Sequence, residues 1–290
     1  LPCDPGTHAL CPGKGAAAYF VPRGYVSIVQ GVRGRQGSEG RWRMLLDDAN
    51  DGFDTAKWIL AQPWSDGTIG TVGGSYTGGT QFALALSNPP GLKAMFPTDA
   101  ATNPGLYGIR HNGAFELRWF NWMMRLGNPG RTDPGNVKEV YPAPGLRDLG
   151  DHVPEYLLRL PLRTGLTPLH QAPDYEAWLV DAMRHGSFDA FWKASPVSVT
   201  AHLHEYKDVP VYHVSGWYDS WGLQVANLNY PSFRRSKKSL QRLIMGPWTH
   251  GGQRASYAGE AEFGPDAAID IDALRLRWFD RWLRNVDNGI

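Results

Sequence analysis

The chain has little cysteine, two residues in 290, and both lie near the start as Cys3 and Cys11. So few thiols exclude a disulfide-built scaffold, and the fold must rest on a hydrophobic core. The pair could close one small loop or remain free. With His8 between them they still offer too few ligands for a closed zinc site, so no metal is expected. Neither sign of charge is in excess: 29 basic residues face 28 acidic ones, for a net charge of +1. That balance gives no reason to expect a nucleic acid or acidic polymer as partner. No apolar run reaches the roughly 18 residues that a membrane span needs, so no membrane insertion is expected. No internal repeat is visible.

Loop formers and aromatic residues are plentiful. There are 34 Gly and 22 Pro, together with 12 Trp, 12 Tyr and 11 Phe. This combination suits a folded protein with many tight loops rather than a disordered one. At 290 residues, one core with an insertion is expected rather than two independent domains.

Thr68 to Val72 reads as a strand that runs into Gly73-Gly74-Ser75-Tyr76-Thr77-Gly78, and a helix-compatible run begins at Phe82. A serine packed among glycines between a strand and a helix is the pattern of a nucleophile elbow. Its sharp turn exposes the hydroxyl, and the helix start offers free N–H groups to an oxyanion. The strict G-x-S-x-G form is not met, because Thr77 stands where its last glycine would be. Two further β-rich runs end in reactive side chains. Val209 to Gly216 leads to Asp219, and Leu240 to Gly246 leads to His250. The order serine, acid, histidine is that of α/β-hydrolase triads. In a parallel sheet all three strand ends share one edge. A serine hydroxyl needs a base, a neutral imidazole supplies it near pH 7, and a carboxylate orients the imidazole.

These motifs resemble those of the cocaine esterase, α-amino-acid ester hydrolase and X-prolyl dipeptidyl aminopeptidase-like family. Gly216-Trp217-Tyr218-Asp219, Gly246-Pro247-Trp248-Thr249-His250 and the elbow carry the likeness. Gln30 to Gly40 adds to it, with Gly31 where the family usually has Asp, and so do Asp54 to Gly67 and Leu276 to Leu283. The family's elbow glycine falls at the Gly78 position. The resemblance implies an α/β-hydrolase fold, with Ser75 as nucleophile, Asp219 as acid and His250 as general base. It gives the Tyr76 backbone N–H as one oxyanion donor. The family's second donor, a tyrosine hydroxyl in an earlier loop, has no match here. By the same likeness the family's N-terminal strands and C-terminal jelly roll are expected to be missing from this chain. No cofactor is implied.

Residues 1–98 and 205–290 are expected to form the core, and 99–204 a helical cap. Strands are expected at Gly24 to Val29 and Leu92 to Phe96. Helices are expected over Phe53 to Leu60, Phe115 to Leu126, Tyr175 to His185 and Ile271 to Leu283. Caps line substrate pockets, so Trp119 and Trp122 are candidate substrate contacts, as are Phe120 and Met123; Trp221, beside Asp219, is another. Family members that bind an ammonium use a carboxylate cluster, one member of which follows the Ser-Tyr pair. Neutral Thr77 stands there, which leans towards an uncharged or anionic acyl group, although Glu116, Asp174 and Glu176 could rebuild a cluster from the cap. The expected activity is carboxylic ester hydrolysis on a small molecule through an acyl-enzyme. The alternatives are an amide hydrolase of dipeptidyl-peptidase or acylase type and a non-catalytic binding module.

Overall fold

The structure is a computed structural model that describes residues 15–35, 38–126, 153–159 and 161–290. Cys3, His8 and Cys11 lie outside the described residues. Among the described residues, the α-helices of five residues or more are α1 (Gly15–Phe20), α2 (Asp48–Leu60), α3 (Tyr76–Leu86), α4 (Arg118–Leu126), α5 (Val153–Leu157), α6 (Pro173–Arg184), α7 (Tyr230–Ser236) and α8 (Ile271–Leu283). Among the described residues, no helix is long and apolar enough to cross a membrane.

Four strands form the central sheet: β1 (Ile69–Gly74), β2 (Leu92–Thr98), β5 (Val211–Gly216) and β6 (Gln241–Gly246). They lie side by side in the order β1-β2-β5-β6, and all neighbours are parallel. Two small hairpins, β3–β4 (Arg110–His111 with Ala114–Phe115) and β7–β8 (Tyr257–Ala258 with Ala261–Glu262), stand apart from the sheet. The inner strands β2 and β5 are buried along nearly their whole length, as parallel strands covered on both faces must be.

Alternate residues of β2 feed the two faces. Met95 joins Phe82, Val211, Tyr206 and Phe233 on one side. Ala94 and Phe96 join Val214, Trp248, Trp278 and Phe279 on the other, where α8 packs. A third cluster lies mainly between β2 and β5 in the chain. It gathers Trp119, Phe120 and Met123 of α4, Tyr175 and Leu179 of α6, and Trp42 and Trp221 from elsewhere.

Register aligns the strand ends. Gly74 pairs with Thr98, Thr98 with Val214, and Gly216 with Gly246. The loops that leave these four strands therefore emerge along one edge.

Two sequence expectations are corrected. Gly24 to Val29 is not a strand: after a turn at Gly24 the chain runs on with no ladder partner among the described residues, and Val26 and Val29 are exposed. Its β-prone residues cannot make a strand alone, because a strand is stabilised by pairing. The helix expected from Phe115 begins only at Arg118, since Phe115 is engaged in the β3–β4 hairpin. The other expected strands and helices lie within a few residues of their places, and α8 spans Ile271–Leu283 as read.

Candidate active site

Ser75 sits between β1 and α3 with φ 58° and ψ −122°. That left-handed conformation costs a non-glycine residue on the order of 1–3 kcal/mol and persists only where the surroundings hold it. Here they do. Ser75 N donates to Thr98 O, and Ser75 O accepts from the N–H groups of Gly78, Gly79 and Ala101, each at 3.0 Å. The serine occupies the N-cap position of α3, yet its hydroxyl makes no cap hydrogen bond. The Gly78 motif position has a steric cause: a Cβ there would lie 2.8 Å from Ala100 Cα and 2.9 Å from Thr98 O. Gln81, which the sequence reading passed over, braces the elbow from below. Its amide donates to Gly73 O at 3.1 Å, and its oxygen accepts from Phe96 N at 3.2 Å and Thr71 Oγ1 at 3.0 Å.

Tyr76 opens α3, so its N–H has no acceptor within the helix. Its ring is held elsewhere: the hydroxyl donates to Asp48 Oδ2 at 3.2 Å and accepts from Leu45 N at 3.3 Å. Burial raises the phenol further above its ordinary range, and burial also pushes the Asp48 carboxyl up to about 6.

Asp219 and His250 meet. His250 Nδ1 lies 3.0 Å from Asp219 Oδ1, and the carboxylate is almost fully buried while 42% of the imidazole side chain is exposed. A ring nitrogen facing a carboxylate carries the proton, which leaves Nε2 as the basic atom. The hydrogen bond to Asp219 raises the His250 pKa above 6.5. Burial opposes this, the charges of Asp219 and Asp99 add to it, and Arg118 works against it. Gly216 makes the meeting possible. A Cβ there would stand 1.9 Å from Trp248 O, so only glycine lets the histidine loop cross the end of β5. Backbone bonds lock the crossing: Trp217 N to Gly246 O at 2.9 Å and Tyr218 N to Trp248 O at 3.1 Å.

Ser75 stands on the same sheet edge. Its N–H bonds Thr98, and the next residue, Asp99, accepts from Gly251 N, which follows His250. Among the described residues, no hydrogen bond joins the Ser75 hydroxyl to the imidazole. Asp99 is a second acid that the sequence reading used only as a boundary. It is 1% exposed and follows β2 directly.

The three tryptophans gather at the seam between α4 and the acid loop. Trp119 and Trp221 are buried and cross edge to face at 5.6 Å; half-buried Trp122 meets Trp119 at 4.9 Å. Trp221 also lies over Gly108, leaving no room for a Cβ there. The exposed aromatic residues of the acid loop are Trp217 and Tyr218. Phe120 and Met123 are fully buried in the same cluster. Glu116, Asp174 and Glu176 are all engaged. Glu116 pairs with Arg118, and Asp174 with Arg41. Glu176 accepts from Gly165 N at 2.9 Å, Thr167 N at 3.2 Å and Thr167 Oγ1 at 2.6 Å. A polar cleft of about 460 Å³ lies at Gln30, Gly31, Arg33, Asp51 and Trp58, and it includes none of Ser75, Asp219 and His250.

Residues 5–252 match the family described as X-Pro dipeptidyl-peptidase (S15 family). The chain belongs to that family. Over 285 residues this S15-family chain is 29% identical to the cocaine esterase of Rhodococcus sp. (strain MB1 Bresler), a match covering 93% of the chain and 47% of that protein. An aminopeptidase from the marine sediment archaeon Thaumarchaeota archaeon superposes with a TM-score of 0.71 at 22% identity, over 94% of this chain and 46% of its own. An α-amino acid ester hydrolase superposes with a TM-score of 0.65 at 24% identity, over 92% and 44%. The fold is that of the α/β-hydrolases, a parallel sheet flanked by helices. The S15-family chain spans about half the length of the relatives it matches.

Proposed function

We propose that this hydrolase-family chain acts as a serine esterase, with Ser75 as nucleophile, His250 as general base and Asp219 as the orienting acid. One observation carries the reading. The 3.0 Å bond between His250 Nδ1 and Asp219 Oδ1 sits at the sheet edge where Ser75 is held at positive φ with its hydroxyl unspent. A binding module would have no use for that strain or for a buried acid behind an exposed imidazole.

Ser75 Oγ attacks the ester carbonyl while His250 Nε2 takes its proton. The tetrahedral oxyanion lies against the Tyr76 N–H at the positive end of α3. His250 then gives the proton to the departing alkoxide. Water, activated by the same imidazole, releases the acid and restores Ser75. No cofactor enters these steps. Residues 99–204 are proposed as the cap that shapes the acyl site, with Trp119, Trp122 and Trp221 supporting its wall. The partner is a small ester, not a nucleic acid or a membrane.

The acyl group is proposed to be uncharged or anionic. Thr77 after the Ser75-Tyr76 pair is neutral, and Glu116, Asp174 and Glu176 are already engaged, so no free carboxylate among them awaits an ammonium. A second reading, cleavage of X-prolyl amides, has the family's own description in its favour. Parallel assays of a p-nitrophenyl acyl ester and an X-Pro p-nitroanilide separate the two. Ester turnover that disappears in Ser75→Ala is the expected result. Turnover of the anilide alone would transfer the proposal to the peptide reading. Ester turnover undiminished in Ser75→Ala would overturn the nucleophile.

A further inference from the structure

The proposed steps use one carboxylate, yet the structure buries two beside His250. One oxygen each of Asp99 and Asp219 and one ring nitrogen of His250 all lie within 4.8 Å of one another. Asp99 follows β2 and takes a left-handed φ of 47°, a conformation that its surroundings must hold. Its N–H donates to Val214 O at 2.8 Å. Oδ2 accepts from Gly251 N at 2.9 Å and from the Gln253 amide at 2.8 Å. Oδ1 accepts from Ser215 Oγ at 2.9 Å, and that hydroxyl is 3.5 Å from Asp219 Oδ2. Asp99 thus ties the end of β5 to the loop that carries His250.

A second buried carboxylate is costly. Burial, and then the charge of Asp219, raise the Asp99 pKa, and the three hydrogen bonds pull it back. All three side-chain partners can donate, which suits an ionised carboxylate. Packing alone would be served by an amide of the same shape. The charge itself therefore calls for a use, and the imidazole is close enough to feel it.

We propose that Asp99 is a positioning residue of this site, which clamps the loop bearing His250 and adds a second negative charge that sets the pH at which the imidazole becomes a free base. This rests on the reading of Ser75, Asp219 and His250 given above. The other charged groups around the pair are known. Asp219 faces it from the β5 loop, and Arg118 of α4 opposes the effect on His250. Arg275 of α8 donates to Thr98 Oγ1 and pairs with Asp272, which also pairs with Arg254.

Two variants separate clamp from charge. In Asp99→Asn the amide oxygen can face Gly251 and Gln253 while its NH2 faces Ser215, so the clamp survives and the charge goes. In Asp99→Ala both go. A negative neighbour favours the imidazolium, so its removal lets the base form persist to lower pH. In Asp99→Asn the acidic limb of kcat/KM is expected to move down by about half a pH unit or more, with the plateau within roughly tenfold of the parent. In Asp99→Ala the limb moves the same way and the plateau falls roughly 10- to 100-fold as the base loses its place. The 15N titration of the His250 ring, assigned with His250→Ala, reads the same shift without substrate, so its result stands whether or not Ser75 turns over an ester. A lower His250 midpoint in Asp99→Asn supports the proposal. A midpoint superimposed on the parent, even with a lower thermal midpoint, would make Asp99 merely structural and overturn it.

Discussion

At the scale of single residues, His250 and Asp219 act as one unit. The hydrogen bond between them raises the imidazole pKa above 6.5, so the base is protonated and idle below that region. Activity in the free enzyme should fall away on the acidic side at a pH above 6.5 and hold above it. Substituting His250→Ala should cut kcat/KM by roughly 10⁴-fold, since triad members fail together. The thermal midpoint should barely move, because the side chain is 42% exposed and leaves no core cavity. A His250→Ala protein with undiminished ester hydrolysis would remove the base assignment. Ser75, Asp219 and His250 could be singled out in the sequence because each stands just beyond a β-run that ends in glycine, at Gly74, Gly216 and Gly246. Asp99 could not. Its side-chain partners lie 116 and more positions away, on β5 and in the histidine loop, and no local pattern records that meeting.

At the scale of elements, the site depends on loops crossing where side chains cannot. Gly216 lies under Trp248 O, so Gly216→Ala must push the histidine loop off the end of β5. The expected cost is about 2 kcal/mol or more of stability. Ester turnover should fall further than stability does, because His250 rides on that loop. Urea unfolding and kcat/KM measured on the same variant would check both. An alanine that leaves stability and turnover unchanged would mean that the crossing is slack. Most elements of the sheet and its flanking helices could be read from the chain: β1, β2, β5 and β6 follow apolar β-prone runs, and α8 follows an Asp270 cap that accepts from Ala273 N at 3.1 Å. Gly24 to Val29 reads the same way but has no partner strand among the described residues, and pairing rather than propensity decides. Phe115 has a helical neighbourhood in sequence, yet the hairpin formed with Arg110 takes it.

At the scale of the whole molecule, pH acts on stability through a histidine outside the site. His213 on β5 is fully buried among Phe82, Phe233 and Tyr230, with Gln241 Oε1 at 3.2 Å as its polar partner. Burial lowers its pKa from 6.5 to about 4. The unfolded chain therefore binds a proton that the folded one refuses between those values. Stability is full above the unfolded pKa and is lost as pH falls through this window, by roughly 3 kcal/mol for this group. His250, with its raised pKa, works in the opposite sense, so a variant must isolate His213. Asp48, raised to about 6, also opposes the fall, so the reading is a difference: from pH 7 to pH 5 the urea midpoint should change more unfavourably in the parent than in His213→Gln. An equal change in both proteins would clear His213 of the effect.

The central claim is that Ser75 is an activated nucleophile, and a fluorophosphonate probe reads it most directly. Intact mass and peptide mapping would be compared for the protein, Ser75→Ala and His250→Ala. The account expects one adduct, on Ser75, absent from Ser75→Ala and strongly slowed in His250→Ala. An adduct on another residue, or labelling that ignores His250, would contradict it.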